Sequence, residues 1–476
     1  MAERADFARG LAVLGALMAR MVPASAHPAA LAVEDGPGPS PAVTGQAGNI
    51  TDAARSGPVR ARLDRCLARI NAHERRLSAF TLVMADVARA DAARLDALPP
   101  EARGPLHGMV ISVKDIIDVA GVATTAASAS RLSRVPAGDA PLVARLRAAG
   151  AVIVGKANCH EYAFGGPAFD LPFPPARNPW DDSLFPGGSS SGSGVGVAAG
   201  FCEASIGTDT AGSIRLPSSH CGVVGLKLSH RPELLQGVLA LAPSLDSVGP
   251  LARSVADCAA IFRVLVPDAA DTPAPGLAVP DAAWLDGLGC EAASRAAFLR
   301  ACDACRAAGM APEVVALPPL PAFHAAGSVA MMAEVAATHA AAVRADFTRY
   351  GEVFRNRALL GEAVPASAHA HALVQCAALA GQVARALAGR ALLLPGAPIG
   401  PVPLAAVDKF YFLRSPNLNI IANCIGAPAL SLPVLRDGAR RPFGIQLLGG
   451  AGTEAGLLAL GARLEGLLVC PPEAPF

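Results

Sequence analysis

Residues 185–227 read FPGGSSSGSGVGVAAGFCEASIGTDTAGSIRLPSSHCGVVGLK, and the rest of the chain is understood from them. The stretch opens with Gly187-Gly188 and three serines, Ser189, Ser190 and Ser191, with further glycines at Gly192, Gly194, Gly196 and Gly200. After a short apolar run comes a second small-residue turn, Asp209-Thr210-Ala211-Gly212-Ser213. Glycine reaches backbone angles closed to other residues and lets main chain approach a ligand closely. Lengths then suggest a geometry. A helix over residues 190–200 carries the chain about 16 Å from Ser189 at ~1.5 Å per residue, and a strand over residues 202–207 returns it by about 20 Å at ~3.3 Å per residue. Ser213 then lies beside Ser189, with the peptide N–H groups of residues 210–213 free to face a substrate. Two hydroxyls beside a cradle of donors suit acyl transfer.

Three other readings compete for the same residues. A Gly/Ser run is commonly a linker, but this one is embedded in Val, Ala, Ile and Leu rather than in polar sequence. A phosphate-binding loop calls for GK[ST] after the glycines, and none follows. Gly188-Ser-Ser190-Ser-Gly192 fits the G-x-S-x-G nucleophile elbow, a short pattern that arises readily in any Gly/Ser cluster. Residue types alone leave these readings open.

Longer blocks discriminate better. GGSSSGS, GTDTAGSIRLPSSHCGVVGLK and, at residues 105–125, PLHGMVISVKDIIDVAGVATT resemble in order and spacing the blocks of the amidase signature family, serine hydrolases with a Ser-Ser-Lys triad. The likeness runs from about residue 60 to residue 265 and resumes more weakly over residues 392–464. It implies a single large α/β domain over residues 50–476, a mixed central sheet covered by helices on both faces. A variable region at residues 266–391 would shape the acyl pocket. By the same resemblance Ser213 is the nucleophile, Lys114 the base, and Ser189 the bridging serine, with an unusual cis peptide before it. Backbone N–H groups of Thr210, Ala211, Gly212 and Ser213 would hold the oxyanion, and Ser190, Asp209 and Arg215 would support the loop. Ala211 stands where glycine is common in the family, so a slightly tighter oxyanion hole is expected.

The implied activity is hydrolysis of a linear amide through a seryl acyl-enzyme, with ammonia or an amine released. No cofactor or metal is called for, the partner is a small-molecule amide, and a homodimer is allowed. A second function is the glutaminase-type subunit of a tRNA-dependent amidotransferase. Leu216 occupies a place where that branch usually carries glutamine, and LSHRPEL at residues 228–234 departs from the family's usual Pro-Thr-x-Gly-like turn. A non-catalytic binding protein would keep the fold, but all three triad positions are intact.

Composition narrows the field. The chain has 476 residues, enough for two or three domains by length alone, and the resemblance overrules that prior. Net charge is +1 with no basic run, so neither nucleic acid nor an acidic membrane surface is indicated. No apolar run reaches the ~18 residues that cross a bilayer, and a soluble protein is expected. Residues 1–49 form an N-terminal extension. Arg4 and Arg9 precede an apolar run at residues 11–19, and Ala24-Ser25-Ala26 resembles a cleavage site, the outline of an export signal within residues 1–26. Arg20 interrupts that outline. One short amphipathic helix followed by a Pro/Gly/Ala linker at residues 30–48 is the alternative, and the cytoplasm is the favoured location. Eleven cysteines, an odd number, do not form a disulfide framework, and Cys302-x-x-Cys305 reads as two helix-packing thiols.

Along the chain, Val59, Leu63, Cys66, Leu67 and Ile70 predict a helix over residues 58–77, and helical pattern continues over residues 81–95. A buried strand at residues 109–113 ends at Lys114. Such a lysine either lies at a sheet edge with its ammonium in water or is buried and must find a partner or lose its proton. Asp139 is the expected N-cap of a helix with Pro141 in its first turn and Gly150 as its stop. A strand at residues 151–155 leads to Lys156, expected to be structural. Trp180 reads as a packing anchor and His230 as a surface histidine. His369 and His371 are two apart and cannot share a helix face as a metal pair would. Ser254 and Asp257 form a capping box, with Cys258, Ile261, Phe262 and Leu265 on the core side. Strands are expected at residues 392–395, 426–433 and 443–448, then a closing helix from Thr453.

Overall fold

The computed structural model describes residues 2–21, 57–409, 411–414 and 417–468. Its strands are β1 (Phe80–Val83), β2 (Val110–Lys114), β3 (Val152–Ala157), β4 (Ala204–Asp209), β5 (Val224–Lys227), β6 (Ser247–Ala252), β7 (Leu277–Pro280), β8 (Glu313–Val315), β9 (Ala391–Pro395), β10 (Ala429–Arg436) and β11 (Pro442–Leu448). All eleven join one sheet in the order β1-β3-β2-β4-β6-β5-β10-β11-β9-β7-β8. Strand β2 runs parallel to both its neighbours, β3 and β4, and β7 runs parallel to β8 and β9. The remaining pairs are antiparallel. The sheet is therefore mixed, as expected.

Alternation along the strands feeds two cores. Val110, Val152 and Val154 face one side, where they meet Leu63, Leu67 and Ile70 of the helix Val59–Leu77 and Val195 and Val197 of the helix Ser191–Ala198. Ile111, Val113 and Ile153 face the other, against Leu142 and Leu146 of the helix Pro141–Ala148 and Ile261 and Phe262 of the helix Val255–Leu265. Strands covered on both faces read as near-continuous apolar runs, which is why β2 and β3 are so rich in Val and Ile. Ser254 caps its helix by accepting from the Asp257 N–H at 3.1 Å, and Cys258, Ile261, Phe262 and Leu265 are buried as predicted.

Several local expectations need correction. The helical pattern at residues 81–95 splits, with Phe80–Val83 pairing antiparallel to β3 and the helix confined to Ala85–Asp96. Phe-Thr-Leu-Val favours a pleated edge, and tertiary pairing wins over the local pattern. Asp139 is not the N-cap, which is Ala140. Its carboxylate accepts from the Ala120 N–H at 2.7 Å and pairs with Arg147 Nε at 3.1 Å. The strand expected at residues 426–433 starts later, at Ala429. Residues 266–321, the first part of the variable region, hold β7, β8 and the helix Ala292–Ala307, on which Cys302 and Cys305 are both buried.

Residues 2–19 form a helix whose Leu14 and Leu17 are buried in the main core, packed on the helices Leu320–Ala345 and Glu352–Leu360. The cleavage-like Ala24-Ser25-Ala26 and the linker at residues 30–48 lie outside the described residues. Among the described helices, Leu320–Ala345 is long and apolar enough to cross a membrane. It is mostly covered by the rest of the fold and carries buried His324, Glu334 and His339. The described cysteines are free thiols.

Candidate active site

The parallel pairing of β2 with β4 sets Val113 opposite Ile206, so the C-terminal ends of the two strands lie side by side. Lys114 ends one and Asp209 ends the other. Ligands in open α/β sheets gather at such strand ends. Among the described residues three lysines are fully buried, Lys114, Lys156 and Lys227, and their partners separate them. Lys156 forms a buried ion pair with Asp115 at 2.9 Å and is structural, as expected. Lys227 donates to the carbonyls of Leu228 and Ala427 at 3.0 and 2.8 Å. Lys114 is the one of the three whose Nζ meets only hydroxyls, Ser189 Oγ at 2.9 Å and Thr208 Oγ1 at 2.7 Å. Burial pushes its ammonium down to about 8, with the nearby thiol of Cys159 and the carboxylates of Asp209 and Asp246 opposing the shift.

The serine segment is fixed around Lys114. The Gly188–Ser189 peptide is cis, matching the resemblance. The Ser189 carbonyl accepts from the His160 N–H at 3.1 Å. Gly188 is required by close approach, since a Cβ there would stand 2.2 Å from the His160 ring. His160 is itself buried and held down to about 3 by desolvation, with the cations of Lys114 and Arg357 adding to it. Ser190 is not exposed in the manner of an elbow nucleophile. Its Oγ donates to the Thr208 carbonyl at 3.1 Å and its N–H to the Ser213 carbonyl at 3.2 Å, which ties the two Gly/Ser turns together.

The second turn is held from inside. Asp209 Oδ1 accepts from the Gly212 N–H at 2.8 Å and Oδ2 from the Ile214 N–H at 3.1 Å. Arg215 pairs with both carboxylate oxygens, at 2.9 and 3.1 Å, and reaches Gln446 and Asn423. Burial disfavours the ionised Asp209, but Arg215 outweighs it and holds the carboxyl below its ordinary range. Ser190, Asp209 and Arg215 thus bond within and between the two turns rather than facing the cleft. Gly212, with φ +111°, departs from expectation, because its N–H is engaged by Asp209.

Ser213 is partly exposed and shares with Ser189 a cleft of about 540 Å³. Thr210 and Ala211 line it too, as do Phe164, Leu241, Met331 and Ile420. The variable region contributes His324, Ser328 and Met331 from one stripe of the helix Leu320–Ala345. Arg357 also lines the cleft, fully buried, with its guanidinium 4.1 Å over the Phe164 ring and a hydrogen bond to the Gly165 carbonyl at 3.2 Å. Among the described residues its Nε has no partner and no carboxylate pairs with it. Burial pushes it down only as far as about 9, so it stays a cation near neutrality. Sequence reasoning missed Thr208, His160 and Arg357. Only long-range packing reveals them. Trp180 is a half-buried anchor donating to the Cys221 carbonyl at 2.8 Å, His230 bonds the Asp246 carbonyl at 2.9 Å, and His369 pairs with Glu334 at 3.1 Å.

A mixed α/β sheet with a buried lysine on a serine hydroxyl, and a second serine open in the same cleft, defines a class of amide-bond enzymes. The chain belongs to the amidase family, whose model, described as Amidase, matches residues 61–458. It is similar to a glutamyl-tRNA(Gln) amidotransferase subunit of Nitratidesulfovibrio vulgaris (strain DP4), at 37% identity over 89% of this chain and 96% of that one. Among solved structures it resembles a crystal structure of an amidase, with a TM-score of 0.80 and 32% identity over 88% of this chain and 98% of the other. The peptide amidase of Stenotrophomonas maltophilia is similar at a TM-score of 0.76 and 27% identity, covering 88% of this chain and 95% of that one.

Proposed function

We propose that this chain hydrolyses a small carboxamide through a Ser213–Ser189–Lys114 relay. The observation that carries the reading is the 2.9 Å contact from Lys114 Nζ to Ser189 Oγ, with Ser213 open in the same cleft and no carboxylate among the described residues paired to the lysine. A serine hydroxyl is a weak nucleophile near neutral pH and needs a proton acceptor in reach. Ser189 accepts the Ser213 proton as it passes its own to neutral Lys114, and Ser213 Oγ adds to the amide carbon. The N–H groups of Thr210, Ala211 and Ser213 hold the resulting oxyanion, each such donor typically contributing about 3 kcal/mol. The reverse relay protonates the departing nitrogen as the C–N bond breaks, leaving the acyl group on Ser213. Water then adds by the same relay, and the acid leaves.

Arg357 supports an acyl group that ends in a carboxylate. A buried guanidinium without an anionic partner is costly, and a bidentate carboxylate satisfies both its charge and its donors. Phe164, Leu241, Met331 and Ile420 would enclose the apolar stem between that carboxylate and the scissile amide. A second reading is the glutaminase-type subunit of an amidotransferase, and the similarity over 96% of such a protein favours it. Leu216 and residues 228–234 favour the free hydrolase. The two readings share this chemistry and differ in where the ammonia goes.

Two measurements test them. Ser213→Ala should abolish labelling by a fluorophosphonate probe, while Ser189→Ala should slow labelling without moving it. A probe adduct on Ser190 or Ser191 would overturn the assignment. Ammonia release by the isolated chain should be faster for ω-carboxylate amides, glutamine among them, than for neutral amides of equal length. Arg357→Ala should remove that preference, chiefly through KM. Release only when the other proteins of an amidotransferase are added would establish the amidotransferase reading.

A further inference from the structure

A second cavity, of about 1030 Å³, opens at the far end of the sheet from the serines. Glu203 and Gly200 line it just before β4 begins, whereas Ser213 lies beyond the end of β4, about 20 Å away at ~3.3 Å per residue. Its walls gather four arginines against one carboxylate. Arg62, Arg65 and Arg69 come from one face of the helix Val59–Leu77, and Arg253 follows β6. Glu203 is the sole acid in the lining among the described residues and is already saturated. Arg62 donates to it from Nε and Nη2 while its Nη1 serves the His107 carbonyl, the Val110 N–H donates to it at 2.9 Å, and Arg253 approaches at 3.6 Å. Cys66 and Cys202 add no negative charge, because burial pushes their thiols up to about 12. One wall is the Trp180 indole, over which Arg436 and Arg440, themselves outside the lining, stand at 4.4 and 5.5 Å. The whole chain is nearly neutral, so this concentration of positive charge is local.

Guanidinium groups crowded into a concave space repel one another and focus a positive field, and planar forks of donors match phosphate oxygens. The cavity is half-open, and arginines on more than one of its walls suit a compact multivalent anion that several forks can grip at once. We propose that this cavity binds an oligophosphate, either free or as the phosphate tail of a nucleotide. Arg69 and Arg253 would supply forks at the mouth, where they are exposed, and Arg62 with Glu203 would form the fixed floor. The helix Ser191–Ala198 runs from the serine segment to this cavity, with Val197 and Ala198 in its wall, so an occupant would brace the element that follows Ser190.

The test uses the purified full chain carrying Trp284→Phe, which leaves Trp180 as the fluorescence reporter. Pyrophosphate, ATP and adenosine are titrated separately at low salt. Pyrophosphate should bind saturably, with affinity falling steeply as potassium chloride is raised, and adenosine should not bind. Equal affinities for ATP and pyrophosphate identify the phosphates as the whole determinant, and ATP at least about tenfold tighter identifies a nucleotide site. Arg65→Ala/Arg69→Ala, on an exposed helix face outside the cleft, should weaken binding at least about tenfold while amide turnover is unchanged. Absence of saturable binding by any phosphate, equal binding by the double variant, or tighter binding of an Asp/Glu-rich peptide would overturn the proposal.

Discussion

At the scale of single residues the chemistry depends on the proton of Lys114. With its ammonium pushed down to about 8, a quarter or so of the molecules carry the neutral amine at pH 7.5, against about one in a thousand for an ordinary lysine. The neutral amine is the competent base, so kcat/KM should rise tenfold per pH unit below that value and level off above it. A pH–rate profile on a neutral amide, whose own charge is constant, checks the sign. Lys114→Ala should lose about 10³-fold in amide turnover, within the usual span of a general base. Esters should suffer less, since their leaving group needs less protonation. Lys114 and Lys156 look alike in sequence, each at the end of a Val/Ile strand. They differ in partner, hydroxyls for one and the Asp115 carboxylate for the other.

Elements are tied together through buried charge, and stability should follow those ties. Asp209 and Arg215 are both fully buried and hold the turn between β4 and the helix Arg215–Cys221. Asp209→Asn leaves the guanidinium without its counter-charge, which typically costs about 3–5 kcal/mol. The urea midpoint should drop accordingly, and probe labelling of Ser213 should slow in whatever fraction stays folded. Because the Asp209 carboxyl is held below its ordinary range, its stabilisation is present above that range and fades only as pH falls through the folded-state value. Lys114→Ala strands no opposite charge, so its urea midpoint should fall less than that of Asp209→Asn. Capping and core-face patterns were readable at this scale where the partner is near in sequence, as at Ser254. Where it is distant they were not: Phe80–Val83 became a strand because β3 lay beside it, and Asp139 turned to Ala120 and Arg147 instead of capping.

Across the whole molecule the described residues contain no group of three or more His, Cys, Asp or Glu side chains placed to hold a metal ion. Prolonged EDTA treatment should leave amide turnover unchanged, and a loss restored by added metal would contradict that expectation. Chain segments by themselves determined the two Gly/Ser turns, the Val/Ile strands and the position of Lys114 at a strand end. These follow from backbone freedom, side-chain branching and periodicity, which act between near neighbours. Tertiary structure alone decided which lysine faces hydroxyls and that the Gly212 N–H is engaged by Asp209. It alone placed Arg357 in the serine cleft and set Arg253 and Trp180 around the three arginines of the helix Val59–Leu77 in one cavity. Burial and charge pairing set those properties, and both depend on groups brought together from distant parts of the sequence.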